Sequence, residues 1–389
     1  MRVDLASLET FNRIGTAGAR RAADGLATLT DEETFVRTTK INFAPLDSLS
    51  SQFDEESKTV AIEFDGGLDG RALLAFDPDT VDYVLANLAG AGADPNPAYL
   101  DEVANIMTSS FVDGWAAHLS ETIDISTPTA DADLPGRDDF ADSQEFSFVF
   151  QSDIEVGGPD HRLRFYMVPE PTSFLETLRE AGDDSPETDV NVGELSTFIR
   201  LTAAGAETVA TNLETMTGIE TDVAISHLDF VPVEDLPAIV GADQHVGTVF
   251  RYAGAMDGYL AVLFDASAAD AIAGALAPGQ LDDEAVRQSA IEEIGNITAS
   301  GFIDGWANAL ETTIDHSVPD FVDDMGRAVL ESIAVELGLT QEFAYVFDVE
   351  ITAAEPMTCR MFALPEADSF RSLVTQLDED LDVSSVERV

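Results

Sequence analysis

With 389 residues, 45% of them hydrophobic, the chain can form two or three domains with full cores, and that apolar content excludes an acidic disordered protein. Its 74 acidic and 19 basic residues give a net charge of −55, which leaves no basic cluster to neutralise nucleic-acid phosphates or bind an anionic membrane. The charge reads instead as a surface adapted to multimolar salt, where screening suppresses self-repulsion.

In chain order, the main organisational fact is internal repetition. Residues 8–29, LETFNRIGTAGARRAADGLATL, align with residues 195–216, LSTFIRLTAAGAETVATNLETM. Each helix-like stretch is followed by a short strand entering a proline, at 41–49 and 227–236. Apolar strands follow at 70–77 and 258–265, the first preceded by the turn residues Gly66, Gly67 and Asp69 that mark a hairpin. Helices are expected at 78–89 and 266–276, then longer ones at about 98–120 and 283–311. Strands at 144–156 and 162–171, matched by 341–351 and 359–367, close each half. The expected domains are 1–185 and 190–389, joined by an exposed acidic linker from Glu180 to Gly193. A flexible acidic loop is expected at 129–143 and a frayed tail beyond Leu377. In the second half, Met325, Val329, Ile333 and Leu337 are placed on one face of a short helix.

The late helices carry a spaced pattern. Ser289, Glu293 and Asn296 stand at steps of four and three, which stacks them on one helical face, and Pro319 follows after twenty-two further residues. Ile291, Ile294, Phe302, Ile303, Trp306 and Leu310 are displaced from that stripe and can point inward. The spacing recurs at Glu102, Asn105 and Pro128, with Ala98 at the serine position, and NIMTSSFVDGWAAHL reads against NITASGFIDGWANAL. Trp115 and Trp306, in the repeated Asp-Gly-Trp, are read as core anchors. Gly114 and Gly305 are read as sites of close helix packing despite the ~1 kcal/mol that glycine costs a helix relative to alanine.

This Asp/Ser-x3-Glu-x2-Asn-x22-Pro pattern resembles the phosphatase motif of the CheC, CheX and FliY family, whose members dephosphorylate the chemotaxis response regulator CheY. The resemblance implies an α+β fold of tandem CheC-like domains, halophilic and archaeal in type. Each domain would be a pseudo-two-fold duplicated unit with an antiparallel sheet flanked by long helices. It also implies four candidate helices. The fourth is complete, and the second has Glu102, Asn105 and Pro128. The first has Glu9 and Asn12 but Leu5 in place of Ser/Asp and Phe35 in place of proline. The third has Ser196 and Ile199 at the Glu and Asn positions and cannot perform the chemistry.

An aspartyl phosphate is already labile, so a phosphatase acting on it mainly has to place a water in line with phosphorus. A carboxamide offers that water both a donor and an acceptor. By the resemblance, Asn296 and Asn105 orient the water, while Glu293 and Glu102 pair with the regulator's active-site lysine. Ser289 supports Glu293 or the contact surface, and Pro319 and Pro128 shape a loop beside the helix through their fixed φ. No cofactor of its own is implied, because Mg2+ belongs to the regulator. The implied partners are a phosphorylated CheY-like regulator and, in a rival reading as a non-catalytic scaffold, CheY or CheD; neither nucleic acid nor membrane is among them.

Other constellations come out empty. His118, His161, His227, His245 and His316 are scattered, lack metal-ligand spacing, and are read as surface or capping residues. One cysteine, Cys359, rules out an intrachain disulfide. No phosphate-binding Gly-rich loop, nucleophile elbow, signal-peptide pattern or eighteen-residue apolar run is found, so a cytoplasmic protein is expected.

Overall fold

The computed structural model describes residues 2–45, 57–89, 96, 98–132, 146–181, 189–218, 220–240, 243–277, 283–353 and 358–377. The chain divides into two compact units, one of residues 3–189 and the other of residues 1–2 with 190–389. Of the loop expected at 129–143, Thr129 and Ala130 instead form a short strand paired with Ala61 and Val60, and residues 133–143 lie outside the described residues, as does the tail beyond Leu377.

The first unit runs β1 (Arg2–Asp4), α1 (Leu5–Thr30), β2 (Thr34–Pro45), β3 (Lys58–Gly66), β4 (Gly70–Phe76), α2 (Pro78–Ala89), α3 (Ala98–Leu119), β5 (Ile123–Ile125), β6 (Thr129–Ala130), β7 (Phe146–Val156), β8 (Arg162–Pro169) and α4 (Pro171–Ala181). Its antiparallel sheet has the order β2-β7-β8-β4-β3-β5, with β6 also on β3.

The second unit holds β9 (Asp189–Asn191), α5 (Val192–Thr217), β10 (Thr221–Pro232), α6 (Leu236–Val240), β11 (Gln244–Gly254), β12 (Gly258–Asp265), α7 (Ala266–Leu276), α8 (Glu284–Ala309), β13 (Ile314–His316), β14 (Asp320–Met325), α9 (Gly326–Leu337), β15 (Phe343–Ala353), β16 (Thr358–Pro365) and α10 (Ala367–Val374). The same order returns as β10-β15-β16-β12-β11-β13, with β14 also on β11. The fold is α+β, with antiparallel sheets carrying long helices.

Several boundaries differ from the sequence reading. Of the strands expected at 41–49 and 227–236, residues 41–45 and 227–232 are the ends of twelve-residue strands, residues 46–49 lie outside the described residues, and past Pro232 the chain turns into a short 3-10 turn and α6. Pro232 is the last residue of the ladder and cannot donate to it, and Val233 N still reaches Glu342 O at 2.9 Å as the chain turns away. The expected linker is not exposed throughout. Asn191 caps α5 through a capping box with Glu194, which puts Val192 and Gly193 inside the helix, and Val190 is buried. Met325 precedes α9 as its N-cap and is exposed, whereas Val329, Ile333 and Leu337 are buried as the periodicity requires.

In each unit two long helices pack on one face of the sheet, and sequence chemistry explains how closely. A Cβ at Gly305 would lie 3.4 Å from the Cα of Gly205, and one at Gly114 would lie 3.8 Å from the Cα of Gly18, so the helix pairs cross where neither partner has a side chain. Trp115 and Trp306 are fully buried below these crossings. Trp115 stacks on Phe11 at 5.4 Å and meets Phe150 edge-on at 4.7 Å. Trp306 stands against Phe198 at 5.3 Å and Phe347 at 5.7 Å. Edge-to-face clusters of this kind add to area burial and lock the helices in rotation. That rotation decides which residues α3 and α8 turn to solvent.

Candidate functional site

On α8 the rotation leaves Ser289 and Glu293 exposed and Asn296 partly exposed, while Ile291, Ile294, Phe302, Ile303 and Trp306 are buried; Leu310 lies just past the helix, half-buried. On α3, Ala98, Glu102 and Asn105 are all exposed, with Val103, Ala104 and Met107 beneath them. Among the described residues, the side chains of Glu102, Asn105, Glu293 and Asn296 have no hydrogen-bond or ion-pair partner. Each pair therefore presents one carboxylate and one carboxamide, a helical turn apart, on a helix whose other side is fixed in the core.

The helices are set from their starts. Asp283 caps α8, its carboxylate accepting from Ala285 N at 3.1 Å, and Arg287 pairs with Asp270 of α7 at 2.9 Å. Asn96 plays the capping part for α3, accepting from Ala98 N at 3.1 Å.

The distant proline has a geometric explanation. After each helix the chain turns through a left-handed residue, Ser120 (φ 55°) or Glu311 (φ 49°), and enters a three-residue strand on the neighbouring sheet edge. This approach requires glycine opposite, since a Cβ at Gly66 or Gly254 would lie 2.3 or 2.4 Å from the carbonyl oxygen of Thr122 or Thr313. A serine then takes both backbone groups of one edge residue. Ser317 N donates to Arg251 O at 2.8 Å and Ser317 Oγ accepts from Arg251 N at 3.1 Å; Ser126 does the same to Glu63 at 2.8 and 3.0 Å. Pairing resumes one residue out of step. Tyr252 faces His316 but Val249 faces Asp320, and Phe64 faces Ile125 but Ala61 faces Thr129. The extra residue is a β-bulge, and Pro319 or Pro128, which has no N–H to offer, sits in it. The twenty-two-residue spacing is thus the rest of the helix, the turn, the short strand, the serine and one bulged residue.

The weaker candidates do not form such a pair. Asn12 is 0% exposed, and its Nδ2 donates to Thr39 O at 3.1 Å while Oδ1 accepts from Thr16 at 3.4 Å. Glu9 is within 3.7 Å of Arg13. A carboxamide spent inside the core is not available to a partner, so the first helix drops out as a candidate. Phe35, at the proline position, is a β2 residue opposite Glu155, not a bulge residue. At the equivalent place on α5, Ser196 and Ile199 are buried.

One histidine corrects the sequence reading. His227 is buried with Asp229 and Asp348, their potential ligand atoms all within 4.8 Å of one another. Arg360 already donates to Asp348 Oδ2 at 2.7 Å. Burial acts to lower the Arg360 pKa, but Asp348, Glu350 and Asp229 together outweigh it and the pKa is raised, so the guanidinium stays charged. By strand alternation these residues share the sheet face of Val231, Val346 and Phe362, which packs on α9, opposite the face that carries Phe347 and Trp306. The cluster is separate from the motif helices. Sequence spacing could not reveal it, because Asp348 joins through strand pairing with His227.

A family model described as the CheC-like family matches residues 98–130 and 286–322, which are the two motif helices with their bulges. The CheC1 protein of Halobacterium salinarum is 36% identical over 196 residues, covering 99% of that protein and 49% of this chain. The chain belongs to the CheC family. CheC of Bacillus subtilis is 32% identical over 104 residues, half of its length and 26% of this chain. FliY of Thermotoga maritima superposes with a TM-score of 0.37 at 20% identity, covering 96% of that chain and 46% of this one. A CheC protein of the Halobacterium size therefore accounts for about half of this chain, and the family pattern occurs in it twice.

Proposed function

We propose that this CheC-family protein hydrolyses the aspartyl phosphate of a CheY-like response regulator. Asn296 and Asn105 orient the attacking water, Glu293 and Glu102 pair with the regulator's active-site lysine, and the regulator supplies the Mg2+. Ser289 supports the contact surface, and the bulges at Pro319 and Pro128 flank it. The observation that carries the reading is the pairing of an unengaged carboxylate and carboxamide on the outer face of α8, repeated on α3. The names of the relatives support it. The Bacillus protein is named a CheY-P phosphatase, and the Halobacterium protein's name assigns that activity provisionally. The Halobacterium relationship and the charge of −55 favour a halophilic archaeal protein working in the cytoplasm at high salt.

Catalysis here is by positioning. An amide on a rigid helix inserted beside the phosphoryl group holds one water in line, and the carboxylate fixes the depth and register of insertion. Phosphate release from the phosphorylated regulator, measured in multimolar salt with the protein far below stoichiometry, tests this. Asn296→Ala combined with Asn105→Ala reduces release to the regulator's own rate while the circular dichroism spectrum is unchanged. A double variant that turns over at the parent rate overturns the mechanism.

A second reading has its own observation: Asn12 on α1, and Ser196 and Ile199 on α5, are buried at the positions equivalent to the motif, so two of the four potential sites are lost. A scaffold that binds CheY or CheD without turnover would give phosphate release no faster than the regulator alone at every protein concentration.

A further inference from the structure

The two motif sites share the same helix, turn and bulge geometry, and within their three-residue strands they differ at one position. In the second unit that residue is His316, and at the same register in the first unit it is Ile125. His316 Nδ1 lies 2.9 Å from Ser317 O and donates to it, because a carbonyl can only accept. Its Nε2 is 3.0 Å from Ser300 Oγ. A hydroxyl can donate or accept, so Ser300 can complement this nitrogen. Phe250 holds the ring edge-on at 5.4 Å. Ser300 stands one turn beyond Asn296 on the same stripe of α8, so the imidazole ties the motif face of the helix to the start of the bulge.

In the first unit Ser109 occupies the equivalent helical place. With an isoleucine opposite, its hydroxyl turns back and donates to the Asn105 carbonyl at 2.8 Å. The bulge residues differ too. Val318 is 81% exposed, an apolar tip directed at solvent beside the motif, where the first unit has Thr127.

We infer that His316 is a positioning residue that clamps the bulge carrying Val318 and Pro319 against the face of Glu293 and Asn296, making the second site the tighter-binding of the two. The inference rests on α8 being the helix inserted into the regulator. The clamp orders a contact surface without touching the reacting atoms, so its effect falls on KM and not on kcat.

The test uses the full chain with Asn105→Ala, so that turnover of the phosphorylated regulator reports the second site alone. His316→Ile, which copies the first unit, raises KM about fivefold, the net worth of one hydrogen bond, and leaves kcat within about twofold. Ser300→Ala gives the same change, and the two together give no more than either alone. His316→Gln, whose amide can donate to Ser317 O and accept from Ser300, recovers most of the KM. Deuterium exchange with no regulator present shows faster exchange at residues 317–320 in His316→Ile, with the unfolding midpoint unchanged. In the reverse experiment, Ile125→His in an Asn296→Ala background lowers KM at the first site. An unchanged KM in His316→Ile, or additive losses from Ser300→Ala and His316→Ile, overturns the clamp. Failure of the phosphatase reading looks different: the Asn105→Ala parent and the Asn105→Ala, Asn296→Ala variant would both match wild type, or wild type itself would not accelerate release.

Discussion

Gly295 lies between Glu293 and Asn296 and faces the sheet. A Cβ built there would stand 2.1 Å from Thr248 Oγ1 and 2.9 Å from Thr248 Cγ2, where ordinary contact begins at 3.4 Å. About 1.3 Å has to be found. Threonine cannot supply it by rotating, because both branches of its short, stiff side chain lie in the way. Gly295→Ala therefore displaces α8 from β11 at the motif itself. The alanine improves helix propensity by ~1 kcal/mol, and overpacking of this kind costs ~1–3 kcal/mol, so the variant folds with stability near or slightly below the parent. A misplacement of about 1 Å at Asn296 costs on the order of 100-fold in turnover. The assay is phosphate release from the phosphorylated regulator in the Asn105→Ala background. Adding Thr248→Ala leaves only Cβ, 3.0 Å away, and restores most of the rate. Wild-type turnover in Gly295→Ala, or no rescue by Thr248→Ala, would refute the claim that helix height over the sheet sets the chemistry.

Further outcomes follow from the same packing. Trp306 Nε1 donates to Thr202 Oγ1 at 3.1 Å, whereas Gly15 takes the threonine's place in the first unit and Trp115 Nε1 is buried without a partner. Trp306→Phe should therefore destabilise the protein more than Trp115→Phe, by about 1–3 kcal/mol, read from the separation of denaturation midpoints in high salt; equal losses would contradict this. Cys359 is fully buried and its thiol pKa is pushed up by that burial, so a thiol reagent at pH 8 should label it only as the protein unfolds. Dilution from multimolar to ~0.1 M salt, where the Debye length reaches ~10 Å, should unfold a chain of net charge −55, and retention of its circular dichroism spectrum would refute the charge argument.

Much of this architecture is legible in the sequence because it is written twice. Apolar spacing in IEEIGNITASGFIDGW predicts both the buried face and the outward Glu293 and partly exposed Asn296, and the strands expected at 70–77 and 258–265 fall where their apolar runs place them. The same reasoning could not separate Asn12 from Asn296. Both stand three residues after an acidic residue on a long helix. The difference lies in a contact with Thr39, twenty-seven residues away on another element.

The sequence alone determined the duplication and the two helices bearing Glu-x2-Asn, because local periodicity and a repeated pattern need no knowledge of neighbours, while the α+β class followed from the family resemblance that this pattern carries. Only tertiary structure decided which helices turn those residues outward, why a proline lies twenty-three positions on, and that His316 rather than isoleucine joins helix to bulge in one unit. Those outcomes depend on helix rotation set by buried tryptophans, on strand register, and on side chains meeting across the fold. Contacts between residues far apart in the chain leave no periodic trace in it.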